Sequence, residues 1–111
     1  MLYLVTGEWV EPGLLAPPAQ VADAIEQAVF PSFERLEQWE KEGKLKGGIF
    51  AGERAGAFVI EAASNEEIGE MVALLPFWGL VKWHVRPLQS VRSALERDRR
   101  AIAQLRAAPP A

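Results

Sequence analysis

The first strand of this chain is apolar on both sides. Leu2, Leu4 and Thr6 alternate with Tyr3, Val5 and Gly7, and successive strand side chains point to opposite faces of a sheet. A strand of that kind needs cover above and below. Leu2–Trp9 must therefore lie inside a layered structure, and the rest of the sequence decides what supplies the layers.

Glu11-Pro12-Gly13 breaks the strand, and Pro17-Pro18 closes the loop that follows. Residues 20–43 read as helix, with Val21, Ile25, Ala28 and Val29 on one stripe and Phe33, Leu36 and Trp39 continuing it. Pro31 falls inside this run. It has no N–H to donate and clashes with the turn before it, so the spacing predicts a kink or two shorter helices. Gly43 suits the position just past the helix end. Residues 45–51 and 57–62 read as a hairpin around Gly52-Glu53-Arg54-Ala55-Gly56, with Gly47-Gly48 marking a bulge or a close backbone approach. Ser64-Asn65-Glu66-Glu67 is a capping box that opens a short helix, with Ile68, Met71, Val72 and Leu75 inward and Pro76 as its stop. Residues 79–86 form the last predicted strand, ended by Pro87. Val81, Trp83 and Val85 share one face, and Lys82, His84 and Arg86 share the other. A final helix starts at Ser90 or Ser93 and runs through Arg106, with an apolar seam of Val91, Leu95, Ile102 and Leu105. Ala107 to Ala111 should fray.

Strand, helix, strand, strand, helix, strand is the split βαβ arrangement of an α+β, ferredoxin-like fold. It is one domain over 1–111: a core of 1–88, an added C-terminal helix over 89–106, and a tail of 107–111. Both main helices cover one face of one antiparallel sheet, which leaves the second apolar side of the first strand bare. Pairing two sheets face to face into a dimeric α+β barrel removes that patch, so the chain is expected to be a dimer or a larger homo-oligomer. A monomer whose last helix folds back over the open face is the alternative.

Composition narrows the function. The 111 residues carry a formal net charge of −3, which argues against a general nucleic-acid binder. Cysteine is absent, which removes disulfides and thiolate chemistry, and a single histidine rules out a histidine-rich metal site within one chain. No metal and no cofactor is expected. No apolar run is long enough for a membrane, and the first residues lack a basic leader, so a cytoplasmic location is expected.

At Leu75-Pro76-Phe77-Trp78 and Val85-Arg86-Pro87-Leu88, preceded by the capping box at Ser64, the chain resembles the muconolactone delta-isomerase family. The resemblance spans roughly residues 1–90 in order of elements and is sharpest over Ala62 to Leu88. It implies a dimeric α+β barrel, often assembled into larger rings. It also implies an activity in which proton transfer, without metal or organic cofactor, moves a double bond in an unsaturated lactone. The chain departs from the family pattern after the last strand. Where the isomerases carry an Arg-His-Pro-Ser-type segment, this sequence reads Leu88-Gln89-Ser90-Val91-Arg92 and continues into a longer, arginine-rich helix.

A double-bond shift beside a carbonyl needs a base for a carbon-bound proton and a donor for the enolate oxygen. The polar strand positions offer both. His84 is the candidate general acid or base, the role histidine fills most often. Glu8 and Glu61 end the first and third strands and are candidate bases. Lys82 and Arg86 are candidate holders of a substrate carboxylate, Arg86 bidentately. Trp9, Trp78 and Trp83 are candidates to wall a pocket for a flat ligand, and the other use of such aromatics is core or interface packing. Arg97, Arg99 and Arg100, interleaved with Glu96 and Asp98, read as a solvated helix face. The leading expectation is a cofactor-free isomerase acting by proton transfer on a small lactone or cyclic acid. The alternatives are a cofactor-independent monooxygenase of the same fold, with a His or Asn in an aromatic pocket, and a non-catalytic small-molecule-binding or assembly module. The three differ in whether Glu8, Glu61 and His84 face one cavity, and a one-residue register slip would reverse every facing.

Overall fold

The computed structural model describes residues 1–110. Its strands are β1 (Leu2–Trp9), β2 (Leu45–Ile49), β3 (Ala55–Glu61) and β4 (Val81–Leu88). They form one sheet in the order β2-β3-β1-β4, with every neighbouring pair antiparallel. The helices are α1 (Pro18–Ala24), α2 (Phe30–Lys41), α3 (Asn65–Ala73) and α4 (Val91–Ala107). The order of elements and the sheet are those of a ferredoxin-like βαββαβ unit with an added helix. The sheet is open, not closed into a barrel.

Register assigns every strand residue to a face. Tyr3↔Ile60 and Val5↔Phe58 pair across the centre, and all four side chains are buried under the helices. Leu36, Leu45, Ile68, Val72, Leu75 and Phe77 complete this core. Each such side chain contributes about 1.5–3 kcal/mol by leaving water. The opposite face carries Leu2, Leu4, Thr6 and Glu8 of β1, Ala55, Ala57, Val59 and Glu61 of β3, and Lys82, His84, Arg86 and Leu88 of β4. Among the described residues, no element covers that face. Leu2 and Leu88 are exposed there, and Leu4, Ala57 and Val59 are only half-buried.

The break expected at Pro31 is a change of helical pitch. Ile25–Val29 winds as a π-helical turn between α1 and α2, and the Phe30 N–H reaches back to the Ile25 carbonyl. The wider turn accommodates a residue that lacks an N–H and crowds the carbonyl behind it. One turn on, Ser32 is fully buried. Its hydroxyl donates to the Ala28 carbonyl at 2.7 Å and accepts from the Phe77 amide at 3.0 Å, which fastens the Leu75-Pro76-Phe77 segment to α2. Ser32→Ala is expected to cost about 1–3 kcal/mol, because it leaves the Phe77 N–H buried and unpaired. Chemical denaturation measures this, and an unchanged midpoint would show that the contact carries no stability.

The helix ends follow their local signals. Gly43 takes φ +77°, and the Lys44 and Gly43 amides bond to the Trp39 and Glu40 carbonyls, the paired arrangement that closes a helix on glycine. Ser64 accepts from the Glu67 amide at 3.1 Å, while the Glu67 carboxylate reaches back to the Ala63 amide at 2.7 Å. Asn65 also accepts from the buried Tyr3 hydroxyl at 2.8 Å. Burial, and then the charges of Glu66 and Glu67, push that phenol above its ordinary value.

Three boundaries differ from the sequence reading. The hairpin turn lies two residues earlier at the same length: β2 ends at Ile49 and β3 begins at Ala55, because the Phe50 amide closes on the Ala55 carbonyl. The last strand begins at Val81, since Trp78–Leu80 winds as a 3-10 turn. Pro87 does not end it. It pairs with Tyr3 inside β4, which is tolerated because β4 is an edge strand and needs no donor on its outer side.

The C-terminal helix does not fold back. No residue of α4 is buried, and α4 has no substantial contact with any other element. The radius of gyration is 19.3 Å and the longest dimension 67 Å, against about 13 Å for the radius of a compact chain of this size. The helix is an arm. Ala107 closes it, and the part of the expected frayed tail at Ala111 lies outside the described residues.

Candidate functional site

Two hollows flank the central strands, one on each face of the sheet. The first lies between the sheet and the helices, with a volume of about 280 Å³. Its floor owes its depth to missing side chains. Gly7 and Gly56 stand opposite each other across β1 and β3, so the two central strands present no Cβ at that level. A Cβ on Gly7 would come within 3.0 Å of the Trp83 ring. Ile25, Val29, Phe30 and Phe33 roof the space from the helical layer, and Trp9, Phe58, Phe77 and Trp83 wall it.

The walls are held in place. Trp9 Nε1 donates to the Pro12 carbonyl and Trp83 Nε1 to the Trp78 carbonyl, each at 3.0 Å, so neither indole presents an unpaired donor. Phe77 meets Phe33 and Trp83 edge to face, at centroid distances of 6.1 and 5.6 Å. Glu53 and Arg54, from the β2–β3 turn, are the lining residues that carry charge. Both are exposed, which sets them on the solvent side. The Arg54 guanidinium lies 5.7 Å above the Trp9 ring, a cation–π arrangement that orients it over an aromatic wall.

The second hollow is on the open face, also of about 280 Å³, and is lined by Leu4, Thr6, His84 and Arg86. Thr6 stands opposite His84 and Leu4 opposite Arg86 in the β1–β4 register. Glu8 and Lys82 pair one step further along the same two strands. Glu61 sits at the far end of β3 and binds the N-terminal ammonium at 2.9 Å.

The residues singled out from sequence thus divide between the faces. His84, Arg86, Lys82, Glu8 and Glu61 share the open face, and the first four cluster along β1 and β4. Trp9 and Trp83 line the cavity under the helices. Trp78 is half exposed outside it and contributes its carbonyl. The polar group and the aromatic wall do not meet. Sequence reasoning missed Glu53, Arg54 and the glycine pair. Gly7 and Gly56 interrupt strand patterns, and a glycine in a strand marks a site where something else approaches closely. Among the described residues, no group of three or more His, Asp or Glu side chains is placed to hold a metal ion, and no helix is long and apolar enough to cross a membrane.

No family model matches the chain, and no curated protein matches it. Solved structures do. One is the crystal structure of muconolactone isomerase, at 22% identity and a TM-score of 0.67, spanning 84% of this chain and 93% of that one. At that identity the likeness is one of fold.

Proposed function

We propose that the chain binds a small, flat, acid-bearing ring compound in the cavity under the helices and shifts a proton within it, as an isomerase acting on a lactone or cyclic acid. The composition of the cavity carries this reading: aromatic and aliphatic walls with one carboxylate and one guanidinium among the lining residues. A flat ring fits between Trp9, Phe33, Phe77 and Trp83. Arg54 holds the acid group or the carbonyl oxygen as it gains charge. Glu53 takes the proton from the carbon beside the carbonyl, the electron pair moves into the conjugated system, and the same carboxyl returns the proton at the far end of the double bond. The monooxygenase alternative called for a His or Asn in such a cavity, and neither is among its lining residues.

A titration of tryptophan fluorescence with an unsaturated lactone acid tests the site. Arg54→Ala is expected to weaken binding by about 10- to 100-fold, the loss of a charge-assisted hydrogen bond. Val29→Trp fills the space and abolishes binding. Glu53→Gln binds normally and loses turnover by roughly a hundredfold or more. Wild-type affinity in both Arg54→Ala and Val29→Trp would dispose of the cavity as the site.

The hollow on the open face supports a second reading. Two copies pairing open face to open face, as a dimeric barrel, would enclose it. His84 would then move the proton with Glu8 beside it, and Arg86 or Lys82 would hold the anion. The same substrate decides between the readings: His84→Ala lowers turnover about a hundredfold under the second and leaves it unchanged under the first. Saturable binding with no turnover in the wild type would make the chain a binding module.

A further inference from the structure

We infer that α4 is a docking arm for a second copy of this chain, and that its receptor is the groove between α2 and the edge strand β2. The arm's seam is Val91, Leu95, Asp98, Ile102 and Leu105, spaced alternately four and three residues apart. That is the spacing of a helix that packs along another surface for its whole length. The structure leaves the seam bare, with Val91 86% and Leu105 74% exposed. Asp98, its charged member, is answered by Arg97 at 3.2 Å. One flank carries Arg92, Arg99 and Arg106, seven residues apart, and the other carries Ala94 and Ala101. Pairing two α4 helices would give those arginines no acidic row to face.

The groove beside α2 has the complementary make-up. It is a hollow of about 130 Å³ with Phe33, Leu36, Leu45 and Ile49 below and Glu37 and Glu40 on its rim. Glu37 also holds Lys41 at 3.4 Å, an exposed pair of little strength that a second cation joins easily. The helical run from α1 through α2 carries more acidic than basic groups, with Asp23, Glu26 and Glu34 besides Glu37 and Glu40 against Arg35 and Lys41. Seating a helix there would also cover the unpaired edge of β2, a surface that proteins otherwise shield from stray pairing. The receptor belongs to another copy: α4 leaves the sheet from β4, at the edge opposite β2, and makes no substantial contact with its own core.

The inference is independent of any ligand. It is tested on the full chain by sedimentation equilibrium and by crosslinking. Arg99→Glu with Arg106→Glu is expected to raise the dissociation constant about tenfold or more, and adding Glu37→Arg with Glu40→Arg in the same chain restores it. Leu95→Asp with Ile102→Asp weakens assembly without restoration, and the thermal melt of each variant confirms an intact core. The chain has no cysteine, so a bismaleimide joins only placed thiols. A mixture of Arg99→Cys and Glu40→Cys chains should yield the mixed product. Products joining Arg99→Cys chains only to one another would assign α4 to a helix pair and overturn the groove. An unchanged mass in the arginine reversal, or no rescue by the glutamate reversal, overturns it equally.

Discussion

Gly47→Ala is expected to lower the melting temperature by roughly 10–20 °C, the largest effect of any single methyl group in this chain. Gly47 sits in β2 with φ +126°, a backbone conformation that side chains rarely adopt. A Cβ there would run into the Ala57 carbonyl oxygen and the Phe58 Cα. Those are backbone atoms of the neighbouring strand and cannot swing aside as a side chain would. The cost combines a strained dihedral with a broken approach of β2 to β3, about 3 kcal/mol or more, against a total of about 5–15 kcal/mol for a domain. Two other glycines separate the causes. Gly43 has φ +77° and open space where its Cβ would be, so Gly43→Ala carries the dihedral cost alone, about 1 kcal/mol. Gly48, next in the strand, has open space and no positive φ, so Gly48→Ala changes little. Paired thermal and chemical denaturation of the three variants gives the comparison. A Gly47→Ala protein that melts with the Gly48→Ala protein would show that β2 shifts to relieve the clash.

The contrast among these glycines shows where the sequence was legible. Gly47-Gly48 reads as a bulge or a close approach, and the structure makes it one, but the sequence does not say which of the two is the tight one. That depends on register against Ala57, a tertiary fact. The same holds for the sheet. Alternation in Val81-Lys82-Trp83-His84-Val85-Arg86 separates two faces without saying which one the helices cover, because a shift of one residue exchanges them. Tyr3 and Val5 settle it by packing with Ile60 and Phe58, and His84 then falls on the open side with Thr6. The Pro31 signal was local and strong, so the break appeared where expected, as a π-helical turn. The cavity was illegible for the opposite reason. It is made by absence, at Gly7 and Gly56, which lie some fifty residues apart in sequence and meet only when β1 and β3 pair. Arg54 reads from sequence as part of a turn, and its place beside the aromatic wall depends on Trp9, which the same pairing brings alongside. The arm is a third case. The apolar seam of α4 was plain in the sequence, but a seam states that something must cover it and not what.

Ala57→Asp is expected to abolish sheet-to-sheet pairing, raising its dissociation constant by roughly a thousandfold or more. The proposal that two copies pair through the open face rests on β1, whose Leu2 and Leu4 face outward with Val59 and Leu88 beside them. Ala57 lies on β3 at the middle of that face, opposite Thr6 on one side and Gly48 on the other. No cation stands directly across from it to neutralise a new carboxylate. Leu4→Asp would be a weaker probe, because Arg86 is its cross-strand neighbour. In a two-fold pair each copy brings its own aspartate, so the penalty of burying an unpaired charge is counted twice. In the separate chain the same aspartate sits in water on a half-open strand and costs little, which keeps the core out of the result. Light scattering of the wild type, Ala57→Asp, Arg99→Glu with Arg106→Glu, and all three together resolves the two contacts. Each of the first two changes should leave a smaller species held by the remaining contact, and the combination should run at the 12.3 kDa of one chain. A wild type already at that mass at micromolar concentration, or an Ala57→Asp protein that keeps its full mass, would leave the open face without its partner.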